Sequence, residues 1–412
     1  MNIYAIIILS ALLVQYALDL IANVLNLRAL RPELPEEFIG VYDAEAYRRS
    51  QEYTRAQTTF GFIANGFDLL LTLGFWFAGG FNYLDKIVRG WELGAVWTGV
   101  AYIGILLLAQ TLISIPFSIY HTFVLEERFG FNRTTPATFA SDRLKGLLLG
   151  GLIGIPALAG IIYLFDVVGP MAWLYGWGAA TAFILLLQLI APAWIMPLFM
   201  KFQPLENAEL QDRLLGYAQK VNFPLANIFV TDGSRRSSKA NAFFTGIGRN
   251  RRIALFDTLL ENHTVPELEA VVAHEVGHYK LRHITKGMVV SVLHIGAFFL
   301  LLSAVLDNRG LFDAFFMEQT SIHAGLIFFA MLIAPLEFAL GVVMKRLSCR
   351  HEFQADHYAA TTTGSSAPMI EALKKLSRTT LSNLTPHPLL VVLSYDHPPM
   401  LERIRALRAI KL

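Results

Sequence analysis

Cysteine is nearly absent from this chain: Cys349 is the single one in 412 residues. One thiol cannot close an internal disulfide, so nothing here calls for an oxidising compartment. Charge is scarce as well. Charged residues make up 16% of the sequence, against about a quarter in a soluble domain. The net balance is only +2, which gives no electrostatic footprint for nucleic acid, and no nucleic-acid partner is expected. There is no low-complexity tract and no internal repeat to suggest a linker or a solenoid.

What the chain does have is apolar runs. Hydrophobic residues make up 54% of it, and the mean hydropathy is +0.47. Seven candidate spans lie near residues 3–27, 60–80, 93–120, 146–168, 171–200, 287–306 and 321–344. Each is long enough, at about 20 residues or more, to cross roughly 30 Å of hydrocarbon as a helix. The first run lacks a basic start, continues past Asp19 and ends in no small-residue cleavage pattern, so it reads as a span and not a signal peptide. Only Gly169 and Pro170 separate the fourth span from the fifth, which predicts a tight helical hairpin. Gly146, Gly150, Gly151 and Gly154 would let the fourth span approach its neighbours closely.

Loop charge sets the expected orientation. Arg28, Arg31, Arg48, Arg49, Arg55, Arg128, Arg133, Arg143 and Lys145 fall on one side, and only Lys86, Arg89 and Arg309 on the other. The positive-inside rule places the first side in the cytoplasm, together with segment 201–286 and the C-terminal tail. The expectation is therefore a multi-pass protein of the lipid bilayer with its chemistry facing the cytoplasm. It would lie in the inner membrane of a bacterium or the endoplasmic reticulum membrane of a eukaryote. Residues 1–200 read as a membrane domain of five spans, and 201–412 as a domain holding the chemistry and two further spans. Asp19, Asn65, Asp68, His294, His323 and Glu337 fall within or near spans, where charge is costly unless it meets water or a partner. Asp68 and Glu337 lie deepest and are the better candidates for lining a hydrated chamber; Asp19 and His323 sit near span ends, where snorkelling would also explain them.

Segment 201–286 reads as soluble structure. Leu210, Leu214, Leu215 and Ala218 have helical spacing over 206–221. Residues 226–231, 241–246 and 251–256 read as strands, the last two joined as a hairpin through Ile247, Gly248, Arg249 and Asn250. Thr264 is an N-cap, followed by Pro266 and acidic residues, so a helix opens there and runs on through HEVGH at 274–278.

On that helix His274 and His278 are four residues apart, so both imidazoles face one way, as two ligands of one ion require. Glu275 is placed to take a proton from a metal-activated water. Gly277 would leave the ligand face uncrowded. A third ligand is needed. A third histidine of the metzincin kind would fall at position 284, which is Ile284. His283 is one residue short of it and turned off the ligand face. A glutamate from a second helix is the gluzincin solution, and Ser348–Ala360 supplies Glu352 and Asp356 one turn apart. Glu352 would ligate, and Asp356 would accept the other N–H of a ligand histidine. The competing reading is two solvated carboxylates. His351 and His357 are rival ligands that point away from the Glu352 face.

These motifs together resemble the type I CAAX prenyl proteases, membrane zinc peptidases that trim prenylated proteins. The resemblance runs along essentially the whole chain, through RFGFNRTTPATFASD at 128–142, NAFFTGIGRNRRIALFDTLLE at 241–261, HEVGH at 274–278, EFQAD at 352–356 and HPPMLER at 397–403. It implies a mostly α integral-membrane fold, in which seven helices form a barrel around a hydrated chamber capped by a gluzincin-like peptidase domain with a small β-sheet. It implies one Zn2+ held by His274, His278 and Glu352, Glu275 as general base and Asp356 orienting a ligand. Asn241 and Ala242 would lie on an edge strand that pairs with substrate backbone. His397 would stabilise the oxyanion or anchor substrate together with Arg403. The substrate would be a peptide or protein, prenylated in the family's typical case. Two departures stand out: the family's SRxxEF reads Ser348-Cys349-Arg350-His351-Glu352-Phe353 here, and the tail ends soon after HPPMLER. The short tail and loops fit a bacterial homologue, for which prenylated substrates would not be a given. A membrane quality-control protease of the heat-shock type would share the metal site but fits the span count less well. A transporter with an accidental HExxH would concentrate its functional charges in the spans, which this sequence does not do.

Overall fold

The computed structural model describes residues 1–225, 227–245 and 252–412. Its seven long apolar helices are Ile3–Ala29, Ala44–Phe77, Gly94–Glu126, Pro136–Val167, Gly169–Leu198, His283–Val305 and Ile322–Thr363. Local chemistry fixes several of their starts. Asn2, Asp43, Thr135 and Ser321 each accept a backbone N–H of the first turn, satisfying donors that have no partner inside the helix. The expected hairpin between the fourth and fifth spans is present, with Gly169 at φ +69 in the left-handed region that suits glycine.

Two boundaries differ from expectation. The second helix begins at Ala44, not near residue 60, because its polar first turns continue the same helix outward from the apolar part. The seventh does not stop near residue 344. It runs as one helix of 42 residues to Thr363, about 63 Å long at 1.5 Å per residue. Gly341 is the last glycine or proline before Gly364, so nothing interrupts the helix where it leaves the apolar region. The segment carrying Glu352 and Asp356 is thus the extension of a span.

The spans close into a ring. The first packs on the second and on the seventh, the third on the fourth, the fourth on the fifth, the fifth on the sixth, and the sixth on the seventh. Phe60 and Phe67 on the second meet Phe117 on the third. At the end remote from the HEVGH helix the seventh span also leans on the third and fourth. A Cβ on Gly99 would lie 2.7 Å from Ile162 and 3.0 Å from His323, so only glycine permits that crossing. An aromatic core built on Trp76, Phe81, Tyr102, Phe312, Phe315 and Phe328 seals this end.

The polar residues of the spans pair across helices. Asn65 donates to Asp19 at 3.2 Å, Gln110 to Asp68 at 3.0 Å, and His294 lies 2.8 Å from Glu337. His323 does not snorkel. It is buried, 2.7 Å from Asp85, which also accepts from Arg89 at 2.6 Å.

A four-stranded sheet caps the other end. Strands β1 (Phe202–Pro204), β2 (Asn227–Thr231), β3 (Ala242–Thr245) and β4 (Arg252–Phe256) lie in the order β1-β2-β4-β3. β2 and β4 are parallel and the other pairs antiparallel. The predicted β3–β4 pairing is present, while its turn at 247–250 lies outside the described residues. Ile253 and Leu255 of β4 pack with Leu210, Leu214, Val272 and Val276 into the core of this cap. The helix Ala208–Lys220 and the motif helix Val265–Lys280 supply the last four.

Candidate metal and peptidase centre

The motif helix is opened by a capping box, in which Thr264 and Glu267 satisfy each other's backbone N–H groups. It packs along the outer part of the seventh-span helix. Gly277 sits at their crossing, where an added Cβ would lie 3.2 Å from Ala355 Cα and from Tyr358. Its role is therefore closer to a helix contact than to clearing the ligand face. This crossing brings Glu352 over the two histidines.

Three candidate ligand atoms converge there. His274 Nε2 and His278 Nε2 are 3.1 Å apart, and Glu352 oxygens lie 3.4 Å from His274 Nε2 and 3.2 Å from His278 Nε2. A tetrahedral ion with bonds of about 2.0–2.1 Å spaces its ligands about 3.3–3.4 Å apart. The donor set fits a divalent first-row metal in both spacing and chemistry, and it is the His–His–Glu group that meets ligand geometry among the described residues. His357, weighed as a rival ligand, is not in that group.

The ligands are held from behind. His274 Nδ1–H donates to Asp356 Oδ1 at 2.8 Å. Arg403, only 5% exposed, donates to Asp356 at 2.8 and 2.7 Å and reaches Glu352 at 3.2 Å. The structure thus places Arg403 behind the ligands, paired with their carboxylates, and not on a surface open to substrate. Burial works against its charge, and Asp356 and Glu352 outweigh that effect. Burial likewise disfavours the His274 imidazolium, but its bonds to Asp356 and Glu352 bring its pKa up to about 9. A metal at Nε2 therefore competes with a proton. Glu275 has no hydrogen-bond partner among the described residues. Burial pushes its carboxyl above the ordinary value, with the neighbouring imidazoles pulling the other way.

Of the expected substrate-side residues, His397 lies beside this group and the strand after Asn241 touches the motif helix. His397 is exposed, with Nε2 3.6 Å from Glu352 and Nδ1 bonded to Asp396 at 2.9 Å. Burial raises the Asp396 carboxyl and the His397 hydrogen bond lowers it, with a net shift downward. Strand β3 is an outer strand of the sheet and touches the motif helix. Asn241 precedes it, exposed, with its carbonyl accepting Phe256 N–H at 3.0 Å, and Ala242 begins it.

A network that sequence reasoning missed ties this strand to the spans. Lys239 donates at 2.8 Å both to Glu126 and to Tyr53, and lies 4.3 Å from the centre of the Phe131 ring. Arg236 forks onto Asp142 at 2.8 and 2.9 Å. Ser238 N–H bonds the Phe131 carbonyl, and Arg133 N–H the Arg236 carbonyl. The stretch 128–142 singled out from the sequence is thus the anchor of the chain entering β3. Lys239 and Glu126 carried no signal in sequence, since they lie more than a hundred positions apart. Asp396 could have been found from its place beside His397.

Comparison with known proteins agrees with this geometry. Residues 23–201 match the family described as CAAX prenyl protease N-terminal, five membrane helices, and residues 204–411 match peptidase family M48. The chain belongs to the CAAX prenyl protease family of M48 peptidases. It is 33% identical to CAAX prenyl protease 1 homolog of Oryza sativa subsp. japonica, over 97% of this chain and 96% of the rice protein. It is 34% identical to CAAX prenyl protease 1 of Saccharomyces cerevisiae, over 91% and 88%. The crystal structure of S. mikatae Ste24p superposes with a TM-score of 0.93 at 32% identity, covering 99% of both chains. The protein is a multi-pass membrane metallopeptidase, and the transporter reading falls.

Proposed function

We propose that this metallopeptidase uses zinc to cleave peptide bonds near the C-terminus of CAAX-type substrates, prenylated ones included, from the cytoplasmic side of its membrane. The observation that carries the reading is the convergence of His274, His278 and Glu352, whose ligand atoms lie within 4.8 Å of one another as one shared ion would need, with Glu275 on the helix of the two histidines and an outer strand alongside. The names of the relatives and the full-length match support the substrate class. Loop charge supports the sidedness.

Held by His274, His278 and Glu352, a zinc ion would supply Lewis-acid polarisation and make a water more acidic. Glu275 takes the water's proton, helped by the burial that raises its basicity, and passes it to the leaving amine. β3 holds the substrate backbone as an added strand, from Asn241 and Ala242 onward. His397, oriented by Asp396, donates toward the oxygen on which negative charge develops. Arg403 and Asp356 keep Glu352 and the His274 ring in place through the cycle.

The test is cleavage of a farnesylated and an unmodified CAAX peptide by purified protein, with and without a zinc chelator. Chelator-sensitive cleavage of the farnesylated peptide is expected. Cleavage of unfolded membrane proteins in its place would move the assignment to quality control, and chelator-resistant cleavage would remove the metal from the mechanism.

A further inference from the structure

The two ligand histidines are oriented by different means. For His274 the acceptor is a carboxylate, Asp356, clamped by Arg403. Among the described residues no carboxylate is bonded to the far side of His278. With Nε2 turned to the metal cluster, its proton must sit on Nδ1, and the atom facing Nδ1 is another imidazole nitrogen, His283 Nδ1, at 3.1 Å. Two N–H groups cannot share that contact. His283 must therefore accept at Nδ1 and carry its own proton on Nε2. That nitrogen lies 3.0 Å from Gln354 Oε1, an acceptor. The chain of contacts thus fixes one tautomer at each ring.

The backbone is shaped to make this contact. The motif helix ends at Lys280, and Arg282 adopts φ +59, ψ 32, a left-handed conformation that is costly for a residue with a side chain. The turn starts the sixth span at His283 and brings its ring back under His278. The ring is 6% exposed and stacked on His351 at 3.9 Å between centres and 9° between planes. Both supports, His351 and Gln354, come from the same helix as Glu352. His351, weighed from the sequence as a rival ligand, is a platform. The relay also adds no negative charge to a site that already holds Glu275, Glu352 and Asp356.

We propose that His283 and Gln354 are positioning residues that hold His278 in its metal-binding tautomer and ring orientation, and so help set the affinity of the centre for its metal. The inference rests on the metal-site reading above. It is tested on purified full-length protein stripped of metal, by zinc titration against a chromophoric chelator. H283L fills the space without accepting a bond, and its dissociation constant is expected to rise about 10- to 100-fold, the usual effect of losing such a partner. In H283N the Oδ1 atom stands where Nδ1 was, so affinity should return to within about threefold of wild type. Q354L frees His283 to take the wrong tautomer and should weaken binding by about three- to tenfold. A merely space-filling ring would give the opposite pattern, with leucine tolerated and asparagine not. Zinc binding by H283L within twofold of wild type, or equal weakening in H283L and H283N, overturns the inference. If H283L does not fold, Q354L decides alone, and unchanged affinity there overturns it. Wild-type protein that takes up no zinc would overturn the metal reading itself, whereas zinc-binding wild type with indifferent variants overturns this inference only.

Discussion

Replacing Arg403 with methionine keeps most of the side-chain volume and removes the guanidinium that faces two buried carboxylates. Asp356 loses bonds of 2.8 and 2.7 Å, and Glu352 loses a contact of 3.2 Å. All three residues are at most 5% exposed, so water cannot replace the guanidinium. Removing one partner of a buried ion pair costs about 3–5 kcal/mol. For a cooperative unit of 150–250 residues, at about 2–4 °C per kcal/mol, the melting midpoint of metal-free protein should fall by about 6–20 °C. Bound metal offsets part of this, because it neutralises Glu352 and stabilises the folded state by mass action. Zinc should therefore raise the midpoint of R403M by more than it raises that of wild type. R403K retains the charge but not the planar fork and should fall between the two. The assay is thermal unfolding in detergent, with and without zinc, alongside metal titration. A midpoint for metal-free R403M within about 2 °C of wild type would refute the bracing role assigned to Arg403.

Three further outcomes follow from the same geometry. E275Q should keep its zinc and lose turnover by about 10²-fold or more, while E352A should lose the zinc itself, both read by metal analysis beside peptide cleavage; full turnover in E275Q would remove its role as base. K239M should raise KM far more than it lowers kcat, because it loosens the approach to β3 and leaves the ligands alone, and E126Q should act in the same direction; a pure kcat effect would contradict the anchoring. Replacing Asp68 and Glu337 together with leucine should change activity or solvent labelling within the barrel, and no change in either would mean that these two residues do not line a hydrated interior.

The candidate metal group was legible because helical periodicity is local: a spacing of four from His274 to His278, and of four from Glu352 to Asp356, puts each pair on one face whatever the fold does. Span positions were legible for a similar reason, since hydropathy needs no partner to be read. The sequence was less informative about helix ends. An apolar run ends where the hydrocarbon ends, but the helix ends only at a breaker, so Ala44 and Thr363 were both missed by many residues. Roles that depend on what lies opposite were illegible. Gly277 could be seen as small but not as the crossing point with Ala355. Arg403 could be placed near the site through its motif, but not behind Asp356. His283 is visible five positions after His278 but reads from the sequence only as a ligand candidate, since the role proposed for it depends on a left-handed residue at Arg282 and on Gln354 from another helix.

These placements bear on how the centre is connected to the membrane. Glu352 lies on the same helix as Glu337, 15 residues further along, or about 22 Å at 1.5 Å per residue. His283 is the first residue of the sixth span, and the Glu126 and Tyr53 that hold the β3 approach belong to the third- and second-span helices. The candidate third ligand, the proposed support of His278 and the anchor of the outer strand are therefore extensions of four different spans. A change in how those spans pack would move Glu352 and His283, whereas His274 and His278 are joined to the sixth span through the turn at Leu281 and Arg282. The ligand spacings of 3.1–3.4 Å leave little room for such movement. If the metal reading holds, substitutions deep in the barrel are expected to reach the centre through the continuous helix Ile322–Thr363.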